Sequence, residues 1–541
     1  MRTTENRAMD GQAPRRRRRG RVAVTAALLL TAGGLAACSG SNDSSGSGDY
    51  VDGKTFTWAT WGDPGNLDPQ ASFVATEIAK FAYDTVVAVD PDGTIQSQLA
   101  SSWDVTETAV TFEIRDDVTC SDGSPFDAQT VVDNIDYVAD ITNASPFRGV
   151  YVPADATATA SGSTVTVTLA SPAPFVLEGF AYLPMVCQSG IENRDSLKAG
   201  TAGTGPFVLT ESAPGDHYTL KVREDYAWGP DGATTSETGT PSTVVFKVVA
   251  NETTAANLIL SGQANAAAFL GPDGDQLAKE GVDAVETQSA YAHQWYNQAP
   301  GRVGSDPVVR TALTQALDLD ELRRVITSDR GATPTALAVY DPGFCDANTV
   351  KGNLPTTDPG AAADALAADG WAKNGDGILT KDGKKLALTF VYSSQGPGQT
   401  AAAELVVAAW KELGVEVEAR SLDVTEHTAA LFETGDWDVT WSSPKAPNPL
   451  VLVPFLSGPS VAEGGNNFGS IANPDYAASA ESAMTKIGTD SCADWEDAEA
   501  ALFQTADIVP FANVTVQTFH QGADLERAGN LLVPTSIRMR D

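Results

Sequence analysis

The sequence predicts an α/β protein with several cores, and three observations carry that prediction. The chain has 541 residues, several times the ~150 that a single domain commonly needs. Residues 386–419 read as strand, helix, strand: apolar runs at 386–392 and 415–419 flank a helical pattern at 401–413. Two strands joined through a helix imply a parallel sheet with that helix on its face. Earlier, Val110, Phe112 and Ile114 alternate with Thr111, Glu113 and Arg115, the period of a half-buried strand. The polar run Ser121-Asp122-Gly123-Ser124-Pro125 breaks that strand, because Gly frees φ and Pro fixes it. Asp127 is placed to cap a helix whose apolar face is Val131, Val132 and Ile135.

The N-terminus has its own logic. Arg15 to Arg19 and Arg21 form a basic stretch before the apolar run 22–32. That run is too short to span a bilayer stably, so a cleaved export signal is expected. Leu35-Ala36-Ala37-Cys38 follows and resembles the lipobox of bacterial lipoproteins. The resemblance implies cleavage before Cys38 and a diacylglyceryl group on its sulfur. The arginines leave both the general and the twin-arginine export routes open. Residues 39–48, SGSNDSSGSG, are a flexible polar tether.

Charge excludes several classes of partner. The whole chain carries 35 basic and 70 acidic residues, a formal charge of −35. Removing residues 1–37 leaves 27 bases and 68 acids, hence −41. Such a surface repels nucleic acid and does not lie flat on anionic lipid. Apart from Cys38 the cysteines are Cys120, Cys187, Cys345 and Cys492. An even number in an exported chain predicts disulfides, with three pairings possible. No C-x-x-C spacing suggests zinc.

Further elements follow in order. Residues 56–61 (FTWATW) form the first strand, 76–87 a helix running into a short strand, and Asp90-Pro91-Asp92-Gly93 a hairpin turn. The Thr/Val alternation over 157–169 predicts an edge hairpin, and 244–249 a strong strand followed by a helix over 254–260. Val309, Leu313, Ala316 and Leu317 share one helical face. Asn374-Gly375-Asp376-Gly377-Ile378 is read as a turn. An EF-hand with its glycine at Gly377 would need acids at Ala372 and Gly383.

Several ordered motifs resemble one family. Trp103, then Phe112-Glu113-Ile114-Arg115-Asp116, then Ser121-Asp122-Gly123-Ser124-Pro125 and the helix at Asp127 resemble the scaffold block of peptide/nickel (family 5) solute-binding proteins of ABC importers. Cys120 departs from it, standing where the family usually has an apolar aromatic. Leu67-Asp68-Pro69, Ser171-Pro172-Ala173-Pro174-Phe175, Gly203-Thr204-Gly205-Pro206-Phe207, the 306–322 segment and Asn473-Pro474-Asp475-Tyr476 extend the resemblance over nearly all of 55–541. It implies a class II periplasmic-binding-protein fold, α/β, with two hinged lobes plus an extra domain. The expected division is signal peptide 1–37, lipidated tether 38–50, lobe I from 51–85, 201–292 and 511–541, domain II 86–200, and lobe III 293–510. Pairing Cys120 with Cys187 and Cys345 with Cys492 keeps each bridge inside one of these bodies and is preferred.

The implied function is capture of a small solute, foremost a peptide, and its delivery to ABC permease subunits. The chain would act as a monomer held by lipid on the extracytoplasmic face of the cell membrane, with no cofactor and no catalysis. Four histidines lack metal-like spacing, and no G-x-S-x-G elbow is present. Two alternatives stay open: a ligand-sensing lipoprotein without a transport role, and a secreted hydrolase. Candidate ligand-binding residues are Trp61, Tyr296, Trp441, Ser442, Lys445, Asn467 and Phe468, because a binding cleft needs aromatics with a few polar groups. The stretch after Asp438 lacks the acid that oligopeptide binders in the family use for a peptide amino group. Lys445 in the cleft would instead favour an anionic group on the solute.

Overall fold

Burial of apolar alternation fixes the strands. In chain order they are β1 (Thr55–Trp61), β2 (Ala100–Thr106), β3 (Ala109–Ile114), β4 (Thr157–Ser161), β5 (Thr164–Thr168), β6 (Phe207–Ala213), β7 (His217–Val222), β8 (Thr243–Val249), β9 (Ala266–Phe269), β10 (Asp283–Tyr296), β11 (Gly331–Ala332), β12 (Ala387–Ser393), β13 (Glu416–Leu422), β14 (Val439–Trp441) and β15 (Ile508–His520). This computed structural model describes residues 48–71, 76–339, 343–345, 347–394, 398–444, 446, 448–529 and 531–541. The expected signal, Cys38 and most of the tether lie outside the described residues.

One mixed sheet runs in the order β13-β12-β14-β10-β15-β9-β1-β8-β7-β6, with β11 added beside β15. β12 pairs in parallel with both β13 and β14, and β1 with both β8 and β9. These two parallel cores belong to lobe III and lobe I. The antiparallel pair β10 and β15 joins them, and each strand is long enough to serve both lobes. Their ladder is irregular between Ala290 and His293, where Pro510 stands opposite His293. A bulge bends a strand locally, and Pro removes a ladder donor. The pair is therefore continuous but weakest at its middle.

A separate antiparallel sheet, β2-β3-β5-β4, forms domain II. Val110, Phe112 and Ile114 are buried, and the helix Ala128–Ala139 covers them with Val131, Val132 and Ile135. Asp127 caps that helix by accepting from the Thr130 amide. The motifs of domain II and lobe I meet at one buried carboxylate. Asp84 accepts from Gln98 Nε2, Thr204 Oγ1, Tyr226 Oη and Trp228 Nε1 at 2.7–3.0 Å. Burial pushes that carboxyl above the ordinary carboxylate range, and the Tyr226, Thr204 and Trp228 donors pull against it. The glycines flanking Thr204 are required by space. A Cβ on Gly203 would lie 2.3 Å from the Ala82 carbonyl oxygen, and one on Gly205 2.5 Å from the Ala82 carbonyl carbon. Both bridges form as preferred, Cys120–Cys187 and Cys345–Cys492.

Val309, Leu313, Ala316 and Leu317 are buried as expected, on and just after the helix Pro307–Gln315, and a second helix, Leu319–Ile326, follows. Asp318 ends the first run in extended backbone and caps the second through the Glu321 amide. A local side-chain bond competes there with helix continuation.

A buried ion pair anchors the lobe III end of β15. Arg310 Nη2 donates to Asp507 at 2.6 Å, with both side chains almost fully buried. Asp507 also accepts from Gln298, Asn473 and Thr505, and Arg310 donates to the Gly304 carbonyl. Asp507→Ala leaves Arg310 buried and unpaired, and we expect a loss of ~3–5 kcal/mol, read by denaturant unfolding. Cys120→Ser with Cys187→Ser should cost ~2–5 kcal/mol in the same assay.

Candidate functional site: the cleft over the crossover strands

In open α/β sheets ligands bind beyond the carboxyl ends of the parallel strands. Here the ends of β1, β8 and β9 in lobe I and of β12 and β14 in lobe III flank the middle of β10 and β15. That places Trp61, Glu252 and the 270–273 turn on one side. Ser442, Ser443 and Gln399 lie on the other, and residues 288–293 and 510–515 form the floor.

The floor is polar where a strand core is usually apolar. Gln288 Oε1, His293 Nε2, Asn513 Oδ1 and Thr518 Oγ1 are buried on β10 and β15 without a hydrogen-bond partner. Gln399 Oε1 and Ser443 Oγ share that condition on the lobe III side. Buried polar atoms in folded proteins are nearly always paired, which makes these the candidate partners for a polar guest. None of these groups is charged at neutral pH. Burial pushes the His293 imidazole down to about 3, so it is a neutral donor and acceptor. An ion pair, Arg330 to Asp275, ties lobe III to lobe I beside β15.

The residues chosen from sequence distribute unevenly. Trp61 is 41% exposed and ends β1, with its indole N–H donating to the Ala268 carbonyl at 3.1 Å. Ser442 follows β14 directly; its amide donates to the His293 carbonyl and its carbonyl accepts from the Trp295 indole. Tyr296 is fully buried, its hydroxyl engaged by Gln294 and Thr314. Trp441 is buried among Phe390, Tyr392 and Phe511 and donates to Gln294 Oε1. Asn467 closes its own loop through the Gly458 and Ile471 backbones, and Phe468 packs on Trp295 at 4.6 Å. Lys445 lies outside the described residues. Sequence reasoning passed over Gln288, His293, Asn513, Gln399 and Ser443. The signal available was QSAYAHQ at 288–294, polar side chains inside a run that otherwise reads as strand.

His293 ties the site to pH. Its folded pKa lies below the ordinary ~6.5 of a free imidazole, so the neutral form contributes stability that is present above pH ~6.5. That contribution falls as pH drops from ~6.5 toward the folded value, by up to ~1.4 kcal/mol per unit. We expect His293→Gln to remove that slope relative to the parent chain, measured as the pH dependence of unfolding between pH 6.5 and 4.

Comparison with known proteins agrees with this geometry. Residues 94–459 match the family described as bacterial extracellular solute-binding proteins, family 5. Protein XP55 of Streptomyces lividans is 26% identical over 469 residues, covering 83% of this chain and 81% of that one. The nickel-binding periplasmic protein of Escherichia coli is 25% identical, covering 65% and 69%. A substrate-binding protein from Microbacterium hydrocarbonoxydans, solved with 4-hydroxybenzoate hydrazide, superposes with a TM-score of 0.71. That match is 24% identical and covers 90% of this chain and 100% of the other. A cleft between two α/β lobes joined by crossover strands, and a family match over most of the chain, place this protein among the family 5 extracellular solute-binding proteins.

Proposed function

We propose that this chain is a lipid-anchored receptor that captures a small peptide in the interlobe cleft and hands it unaltered to ABC permease subunits. The observation that carries the peptide reading is the neutral polar floor. Gln288, His293, Asn513, Gln399 and Ser443 offer amide, imidazole and hydroxyl groups, the complements of peptide N–H and C=O groups. Trp61 offers an exposed aromatic surface at the rim. Among the described residues no three His, Cys, Asp or Glu side chains gather as metal ligands. His217 contacts Asp216, His427 contacts Thr440 and His520 contacts the Ala523 carbonyl, so the histidines are dispersed. Anchoring rests on the lipobox at Cys38. The division into lobe I, domain II and lobe III keeps the boundaries given above. Ligand exchange follows from two-state hinging, in which solute favours the closed form.

Mass spectrometry of the solute that co-purifies with the protein tests the peptide class directly, and a peptide is the expected result. With that solute in hand, Asn513→Ala and Trp61→Ala should each weaken binding about tenfold by calorimetry. Lys445→Ala should weaken an anionic solute and leave a neutral one unchanged. Conversion of the solute into a product by the purified protein would refute the non-catalytic reading. Failure to stimulate its permease ATPase would turn the reading toward sensing.

A further inference from the structure

Domain II is attached to lobe I, and lobe I reaches lobe III through β10 and β15. Yet domain II touches lobe III directly. The Gly488 amide donates to the Pro174 carbonyl at 2.6 Å. Phe175 is 2% exposed and belongs to the apolar cluster of lobe III with Trp295, Leu337 and Phe468. Its ring lies 6.1 Å from that of Phe344, and Phe344 neighbours the Cys345–Cys492 bridge. The helix Val176–Ala181 then carries Glu178 into the same contact. Glu178 is only 9% exposed. One of its carboxyl oxygens lies 3.8 Å from where a Gly488 Cβ would stand.

No charge offsets that carboxyl among the described residues. Its own helix has no other ionisable group. On the 145–152 turn packed behind it, Arg148 is engaged by the Ala139 and Ala154 carbonyls. On the 484–491 segment facing it, Lys486 is paired with Asp494, and Asp490 is an acid. A buried carboxylate held by its own backbone amide with no opposite charge beside it is costly, and protonation is the ordinary relief.

We propose that the Pro174–Glu178 segment is a proton-linked latch: it docks on lobe III when the hinge closes, and Glu178 takes up a proton as it docks. The proposal rests on the hinge reading given above. Burial pushes the Glu178 carboxyl up to about 7 in this contact. In the opened form the same helix face meets water, and the carboxyl returns to the ordinary carboxylate range. The sign follows. Closure gains stability as pH falls through about 7, and that gain is complete once the opened form is protonated as well.

Small-angle scattering of the full chain between pH 5 and 9 tests this. The parent protein should become smaller as pH falls, with a midpoint near 7. Glu178→Gln, a neutral isostere, should be small across the range and lose that transition. Phe175→Ala should be larger than the parent at pH 5. If Phe175→Ala enlarges the protein but Glu178→Gln keeps the parent's pH response, the hinge stands and the proton link is overturned. If all three have one radius at every pH, the latch is overturned together with the hinge. Circular dichroism separates opening from unfolding: a retained spectrum with a larger radius in Phe175→Ala supports the latch, whereas a retained spectrum with the parent's radius at pH 5 overturns it.

Discussion

Everything in this molecule depends on two strands that are shared. β10 and β15 contribute to the parallel core of lobe I at one end and to that of lobe III at the other. Neither lobe can complete its sheet without them. A connection made of one antiparallel pair resists shear, because every ladder bond would break at once. It tolerates bending where the ladder is already interrupted, between Ala290 and His293 opposite Pro510. The interruption and the unpaired polar atoms Gln288 Oε1, His293 Nε2 and Asn513 Oδ1 thus fall on the same stretch of the shared strands.

The ends of the shared strands are held firmly so that bending concentrates in the middle. At the lobe III end, Asp507 gathers Arg310, Gln298, Asn473 and Thr505 just before β15 begins. At the lobe I end, β15 pairs with β9 through Ala266 to Phe269, and a Cβ on Gly274 would press on Phe519 at 2.9 Å. Domain II is fastened to lobe I by Gln98 on Asp84, by Arg194 paired with Asp68 and by Arg223 donating to Thr119. Its Pro174–Phe175 corner meets lobe III through the Gly488 amide and the cluster around Trp295.

The acidic surface fits an extracellular solute-binding protein. Charge on the exterior keeps the chain soluble and away from anionic lipid, while the floor of the cleft keeps imidazole, amide and hydroxyl groups uncharged. Among the described residues no helix is long and apolar enough to cross a membrane.

Much of this was legible from residues alone. Alternation gave β3, the cap at Asp127 gave the helix of domain II, and the β-α-β pattern gave the parallel core of lobe III, since each depends on neighbours a few positions apart. Ordered motifs identified the family for the same reason: Gly203-Thr204-Gly205 and Ser121–Pro125 are fixed by a junction that permits few substitutions. Only the tertiary structure decided which aromatics are core. Trp441 and Phe468 have the composition of pocket residues, but contacts with Phe390, Phe511 and Trp295, remote in sequence, consume their faces. Only the fold could show that β10 and β15 pair, with Asn513 opposite Ala290 and Pro510 opposite His293, because the strands are more than two hundred residues apart and local periodicity carries no record of such a pairing.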